Sequence, residues 1–133
     1  MPGRLALLFA AGCLGGLLNS LAVWGSAQAG INSALGVAIA PHLSPAWLYP
    51  RIVWGGLWGL LFLLPWRRHS WLLRGLVFSL GPTLVQLFFV FPYQSGKGLG
   101  GLDLGMLTPL LVLVFNAVWG VTTAIWLRLS RRY

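Results

Sequence analysis

The sequence predicts an all-α integral membrane protein, a bundle of four transmembrane helices with a short interfacial or re-entrant segment between the first two. Hydrophobic residues make up 58% of the 133 residues, charged residues make up 8%, and the mean hydropathy is +0.83. Soluble domains carry about 25% charged residues, so this chain could not cover a surface that faces water. We expect a single transmembrane domain over residues 1–133.

The first element is an apolar stretch over residues 5–27, which contains no charged residue. Because about 20 apolar residues span a bilayer, we predict a transmembrane helix there. Arg4, this stretch and the following Ala27-Gln28-Ala29 also match a signal peptide with a small-residue cleavage site. The stretch exceeds the usual signal core of roughly 7–15 residues, and Gly15-Gly16 and Asn19 interrupt it. A retained span is favoured, with cleavage as the alternative.

The second element is the apolar run over residues 31–40, which is followed by Pro41 and Pro45. A run of this length is too short to cross a bilayer. We therefore predict an interfacial or re-entrant helix.

The remaining spans are predicted over residues 47–66, 71–91 and 104–127. Arg51 lies one turn inside the second span, and Arg74 lies near the start of the third. Arginine side chains close to a helix end can extend to the headgroups, so neither cation excludes a span.

The cations are divided unevenly between the two sides of such a bundle. One side carries Arg4, Arg67, Arg68, Arg74, Arg128, Arg131 and Arg132. The other side carries Arg51 and Lys97, beside the single acidic residue, Asp103. Because cytoplasmic loops are enriched in Lys and Arg, both termini are predicted to be cytoplasmic.

The tryptophans agree with these boundaries. Several lie near predicted helix ends, where the indole ring prefers the membrane interface: Trp24, Trp47, Trp66, Trp71 and Trp126. Trp54, Trp58 and Trp119 lie deeper and are predicted to pack inside the bundle.

Small and polar residues cluster on one face of each predicted span at 100° per residue. Close backbone approach associates helices in lipid, so we predict helix packing at Gly12, Gly16, Gly55, Gly59 and Gly120. The alternative reading of these faces is a polar path through the bundle, lined by Asn19, Gln86, Thr108 and Asn116.

Reactive groups are sparse in the sequence. No carboxylate lies within a predicted span, and His42 and His69 fall in loops on opposite sides. Cys13 is the single cysteine, which excludes an intramolecular disulfide and a multi-cysteine metal site. No nucleophile has a base nearby in sequence, so we predict no enzymatic activity, no catalytic residue, no cofactor and no metal.

One ion pair is predicted, between Arg51 and Asp103, because both residues fall at the external ends of spans. Three separately solvated charges, with Lys97 as the third, are the alternative, since an exposed pair contributes at most about 1 kcal/mol.

The string from Ser44 to Trp58, SPAWLYPRIVWGGLW, resembles uncharacterised small four-span proteins of bacterial inner membranes, as does Phe115-Asn116-Ala117-Val118-Trp119-Gly120. The segment from Pro45 to Trp58 is also similar to the tryptophan-rich sensory and translocator family, whose members have five helices and a longer chain. The resemblance implies a membrane class and no mechanism.

These patterns favour a small non-enzymatic membrane protein that acts as a packing or assembly partner, as a homo-oligomer or with another membrane protein. A channel or carrier for a small neutral or anionic solute is the alternative. The cations that give the net charge of +8 are expected to interact with the lipid bilayer rather than with nucleic acid, because they lie between apolar runs and form no dense polar face.

Overall fold

The structure, a computed structural model, describes residues 2–39, 41, 43–64, 71–94, 96 and 98–130. These residues form helices and no strand, which confirms the all-α prediction. Three helical stretches are long and apolar enough to cross a membrane: Gly3–Gln28, Trp71–Pro92 and Thr108–Ser130. Their length and composition are those of transmembrane helices.

The two longest helices pack against each other at the centre of the bundle. Helix α1 covers Pro2–Gln28 and helix α6 covers Thr108–Ser130. The predicted start of the last span at residue 104 is early, because a 3-10 segment, Leu99–Leu104, precedes the helix. Gly105 then has a φ of 149° and lies against the carbonyl of Gly36, where a Cβ atom would collide.

The segment predicted as an apolar helix over residues 31–40 contains a single helical turn, α2, Ile31–Ala34. Gly36 then takes a left-handed φ of 73°, which ends the helix. Asn32 is 1% exposed; it accepts a hydrogen bond from Ser26 Oγ at 2.7 Å and donates one to the Ile39 carbonyl at 2.9 Å. These bonds fold the segment back over the end of α1.

The second predicted span is shorter as an α-helix than expected. Helix α3 covers Pro45–Gly59, and a 3-10 turn, Leu60–Leu63, continues it. Ser44 Oγ caps its start by accepting a hydrogen bond from the Trp47 backbone N–H at 3.3 Å, with proline at the first position. At 1.5 Å per residue the α-helical part rises about 22 Å, less than the roughly 30 Å of a hydrocarbon core. The predicted end at Pro65 and Trp66 lies outside the described residues.

The third predicted span is helical but irregular. It consists of α4, Trp71–Phe78, then α5, Leu80–Val85, and then a π-helix, Gln86–Gln94. The break falls at Ser79, whose Oγ donates to the Leu76 carbonyl at 2.6 Å. Pro82 follows one turn later and has no N–H for the helix. π-helical turns widen a helix and are frequent at functional sites.

Arg74 is fully buried, so its predicted extension into the headgroups is wrong. Its Nη2 donates to the carbonyls of Phe62 and Leu64, at 2.6 and 2.7 Å. The guanidinium also lies over the rings of Phe62 and Phe78, 5.2 and 5.3 Å from their centroids. A cation at the carbonyl end of a helix is favourable, and this one ties the 3-10 turn after α3 to α4.

The apolar core consists of two clusters along the bundle. One contains Leu8, Ala11, Phe62, Phe78, Trp119, Ala124 and Leu127. The other contains Val23, Val37, Leu111 and Phe115. Asn19 on α1 and Asn116 on α6 fall between the members of these clusters along each helix. Polar side chains therefore occupy the level between two apolar layers.

Several cations on which the predicted orientation depends lie outside the described residues, together with both histidines: Arg67, Arg68, Lys97, Arg131, Arg132, His42 and His69.

Candidate functional site

Four glycines bring α1 and α3 into backbone contact. A Cβ atom on Gly12 would lie 2.9 Å from the Gly59 Cα, and it would collide with the carbonyl oxygen of Gly55. A Cβ atom on Gly16 would lie 2.8 Å from the Arg51 carbonyl oxygen. The spacing of the glycines thus sets the backbone of Arg51 directly against α1.

A second glycine crossing joins α4 to α6. A Cβ atom on Gly75 would lie 2.5 Å from the Gly120 carbonyl oxygen. The glycines that the sequence singled out for helix packing therefore lie at crossings within one chain. Beside the first crossing, polar side chains of α1 and α3 come within hydrogen-bonding distance of one another.

Arg51 reaches from α3 to α1. Its Nη2 donates to Asn19 Oδ1 at 2.7 Å and its Nε donates to Ser20 Oγ at 2.9 Å. Both acceptors are buried, with exposed fractions of 6% and 0%. The guanidinium carbon also lies 4.7 Å from the centroid of the Trp47 ring, a cation–π distance. Three fixed groups therefore hold the cation in one orientation.

The network continues from α1 to α6 and to the third span. Asn19 Nδ2 donates to the Phe115 carbonyl at 2.6 Å and to Asn116 Oδ1 at 3.3 Å. Asn116 Nδ2 in turn donates to Thr83 Oγ1 at 3.1 Å and to Gln86 Oε1 at 3.3 Å. We refer to the connected side chains as the Arg51 cluster: Arg51, Asn19, Ser20, Asn116, Thr83 and Gln86.

Two cavities adjoin the Arg51 cluster, with volumes of about 320 and 420 Å³. Asn19, Arg51, Gln86 and Asn116 line both of them. The smaller cavity is bounded by Ala38, Ile39 and Pro41 from the segment after α2. The larger one lies between α3 and the third span. The cluster thus forms a shared polar wall between two spaces.

The described side chains that contact the positively charged Arg51 are all uncharged. Among the side chains that the structure describes, none that contacts Arg51 is a carboxylate, and Nη1 has no hydrogen-bond partner there. The side chain of Asp103, the single acidic residue of the sequence, lies outside that description, and with it the predicted Arg51–Asp103 pair. A guanidinium within a membrane protein needs hydrogen-bond or charge partners, and the described partners of Arg51 are all neutral.

Three of the four residues predicted to line a polar path meet in this cluster: Asn19, Gln86 and Asn116. Thr108 does not join them, because it precedes Asn116 by about 12 Å along α6. It is fully buried beside Gly101, and its Oγ1 has no hydrogen-bond partner within the described part of the chain.

The deep tryptophans divide between core and surface. Trp119 is 3% exposed and its Nε1 donates to the Gly55 carbonyl at 3.2 Å, while Trp58 is partly buried against the core. Trp54 is 60% exposed, so the prediction that it packs inside the bundle is wrong. Its ring instead lines the larger cavity.

The role of Arg51 as the centre of a network was not predicted from the sequence. The sequence feature that could have indicated this role is the position of Arg51 one turn inside a helix, with no acidic residue one turn away on either side. Such a cation must find its partners on another helix. Which helix supplies them depends on how α1 and α3 cross.

No group of three or more His, Cys, Asp or Glu that could hold a metal is found among the described residues. Comparisons with protein families, with curated proteins and with solved structures find no match to this chain. The functional argument therefore rests on the geometry of the Arg51 cluster.

Proposed function

We propose that this protein is a four-span protein of the bacterial inner membrane that binds a small anion at the Arg51 cluster and acts as a channel or carrier for it. The observation that carries this proposal is a guanidinium, without a described carboxylate partner, in a wall shared by two cavities.

The guanidinium retains donors for a ligand. It has five N–H donors, and its described hydrogen bonds use Nε and one Nη2 position. Arginine binds carboxylate and phosphate oxygens in a planar, two-pronged geometry. Because Asn19, Ser20 and Trp47 already fix its orientation, a bound anion loses little free energy to ordering the side chain.

An assembly role has less structural support. The small-residue faces suggested it, and those faces contact each other within the chain at the two glycine crossings. A homo-oligomer or a complex with another membrane protein would need a different surface.

The anion proposal predicts that Arg51 controls flux. In proteoliposomes loaded with chloride, methanesulfonate or octanesulfonate, the wild type should release at least one of these anions faster than protein-free vesicles. Hydrogen bonds to charged groups contribute about 1.5–3 kcal/mol, so efflux through Arg51→Gln should fall about tenfold or more.

Arg128→Gln is the matched control, because Arg128 is exposed near the end of α6 and its loss removes the same charge outside the cluster. Folding of each variant is checked by circular dichroism and gel filtration in detergent. Equal efflux through wild type and Arg51→Gln, or no efflux of any of the three anions through folded wild type, contradicts the proposal.

Four spans with cytoplasmic termini complete the proposed topology. The α3 helix and its 3-10 continuation together rise about 30 Å, close to the thickness of a hydrocarbon core. The distribution of Lys and Arg favours cytoplasmic ends.

The topology predicts that a fluorescent protein fused after Tyr133 is bright, and that alkaline phosphatase at the same site is inactive because it matures only in the periplasm. Alkaline phosphatase inserted in the segment between α1 and α3 should be active. The reverse pattern would show that the charge argument gives the wrong orientation.

A further inference from the structure

The larger cavity is a cleft between two helices that each pack mainly on another partner. Helix α3 packs chiefly on α1, and the third span packs chiefly on α6. Apolar side chains on the two walls are exposed at the outer surface of the bundle: Trp54 by 60%, Phe89 by 53% and Val85 by 41%. In a membrane these walls face lipid, so the cleft is open to the bilayer from the side.

The cleft is polar at one position and apolar along the rest of its length. Arg51 lies in the second turn of α3, over the ring of Trp47. Trp54 and Trp58 also line the cleft and follow Arg51 by about 4.5 and 10 Å along the helix axis. The charged position therefore lies nearer the start of the helix, and the aromatic wall extends from it toward the middle of the membrane.

This arrangement matches a molecule with a charged end and a hydrocarbon chain, oriented as a lipid is in one leaflet. An anionic group at Arg51 would satisfy the guanidinium, and the chain would lie along Trp54 and Trp58. A small inorganic anion would contact only the Arg51 cluster and leave the apolar walls uncovered. The cleft volume of about 420 Å³ falls in the range of about 300–1,000 Å³ for small-molecule sites.

We propose that the ligand of the Arg51 cluster is an amphiphilic anion that enters the cleft sideways from the bilayer, with its charged group at Arg51 and its hydrocarbon chain between α3 and the third span. This inference rests on the proposed function and specifies the class of anion.

The test uses alkyl sulfonates, which stay ionised at all relevant pH values. The protein is placed in nanodiscs of phosphatidylcholine, and dodecanesulfonate carrying a bromine on its fourth carbon, which lies level with Trp54 when the sulfonate is at Arg51, is added as a quencher of tryptophan fluorescence. We expect saturable quenching, most of which is lost in Trp54→Phe. Unbrominated dodecanesulfonate should reverse it, whereas methanesulfonate and dodecanol should not, because one lacks the chain and the other lacks the charge.

The variants separate charge recognition from adsorption to apolar surface. Arg51→Gln should weaken the affinity for the brominated probe about tenfold or more, since a charge-assisted hydrogen bond is lost, and Arg128→Gln should leave the affinity unchanged. Equal quenching of wild type and Arg51→Gln would overturn the proposal, as would reversal by dodecanol.

Failure of this inference is distinguishable from failure of the proposed function. Suppose that release of chloride or methanesulfonate depends on Arg51 but dodecanesulfonate shows no saturable binding. The proposal of an amphiphilic ligand is then wrong, and the proposal of an anion site at Arg51 still holds. Absence of both Arg51-dependent release and Arg51-dependent binding overturns both.

Discussion

Gly12→Leu is expected to lower the free energy of unfolding by about 1–3 kcal/mol, the usual effect of overpacking a close contact. Gly25→Leu, the same substitution on the same helix, is expected to have almost no destabilising effect. The difference follows from the surroundings of the two positions, since nothing lies within 4 Å of a Cβ atom built on Gly25.

The contact at Gly12 cannot relax by moving a side chain. A Cβ atom there would collide with the carbonyl of Gly55 and would lie 2.9 and 3.0 Å from the Cα atoms of Gly59 and Gly56. All three neighbours are backbone, so α1 and α3 must separate. Lipid gives apolar helices no hydrophobic reason to reassociate, and separation also withdraws Arg51 from Asn19 and Ser20.

Unfolding of both variants by sodium dodecyl sulfate, titrated into a mild detergent and followed by circular dichroism, measures the effect. Gly12→Ala provides a smaller step in the same direction. If Gly12→Leu and Gly25→Leu unfold at the same detergent composition, then α1 and α3 do not cross at Gly12. The described geometry of the Arg51 cluster, which depends on that crossing, would then also be wrong.

The glycine crossings show which features of the fold could be predicted from the sequence and which could not. The four-residue spacing of Gly12 and Gly16, repeated at Gly55 and Gly59, identified residues that the structure places in backbone contact. Spacing shows that a helix has a small-residue face, because side chains recur on one side every three to four residues. It does not show which helix covers that face, since several neighbours offer small residues.

The polar residues, too, could be identified from the sequence, but their arrangement in space could not. Asn19, Gln86 and Asn116 could be identified because an amide at membrane depth needs a partner. The exclusion of Thr108 could not, because it depends on which turn of α6 faces the cluster. The shortness of the α2 helix could not be predicted from hydropathy either. It depends on the hydrogen bonds of Asn32 with Ser26 and Ile39, and hydropathy does not show which residues form such bonds.

Asn116→Asp is expected to reduce anion efflux by roughly thirtyfold while the protein remains folded. The Asn19 amide connects Arg51 to Asn116, so a carboxylate at position 116 lies within about 8 Å of the guanidinium, and at an effective dielectric constant near 20 the two charges interact by about 2 kcal/mol. The carboxylate would thus supply the counter-charge that a bound anion otherwise provides.

The substitution preserves the shape of the side chain and can keep its hydrogen bonds to Asn19 and Gln86. One carboxylate oxygen still accepts from Asn19 Nδ2, as Asn116 Oδ1 does now. The other replaces an N–H donor that faces Thr83 Oγ1 and Gln86 Oε1. The Gln86 amide can reverse and donate instead, whereas the Thr83 hydroxyl already donates to the Ser79 carbonyl at 2.8 Å, so the contact with Thr83 is lost.

Leu129→Asp is the control for charge alone, because Leu129 is 72% exposed near the end of α6 and the substitution adds the same charge far from the cluster. Acid should restore efflux through Asn116→Asp, since a protonated carboxyl group no longer neutralises Arg51, whereas a misfolded variant would not recover. Equal losses of efflux in Asn116→Asp and Leu129→Asp would assign the effect to the overall charge of the protein. Recovery confined to Asn116→Asp would instead locate it at the Arg51 cluster, because only there does the added carboxylate compete with the anion for the same guanidinium.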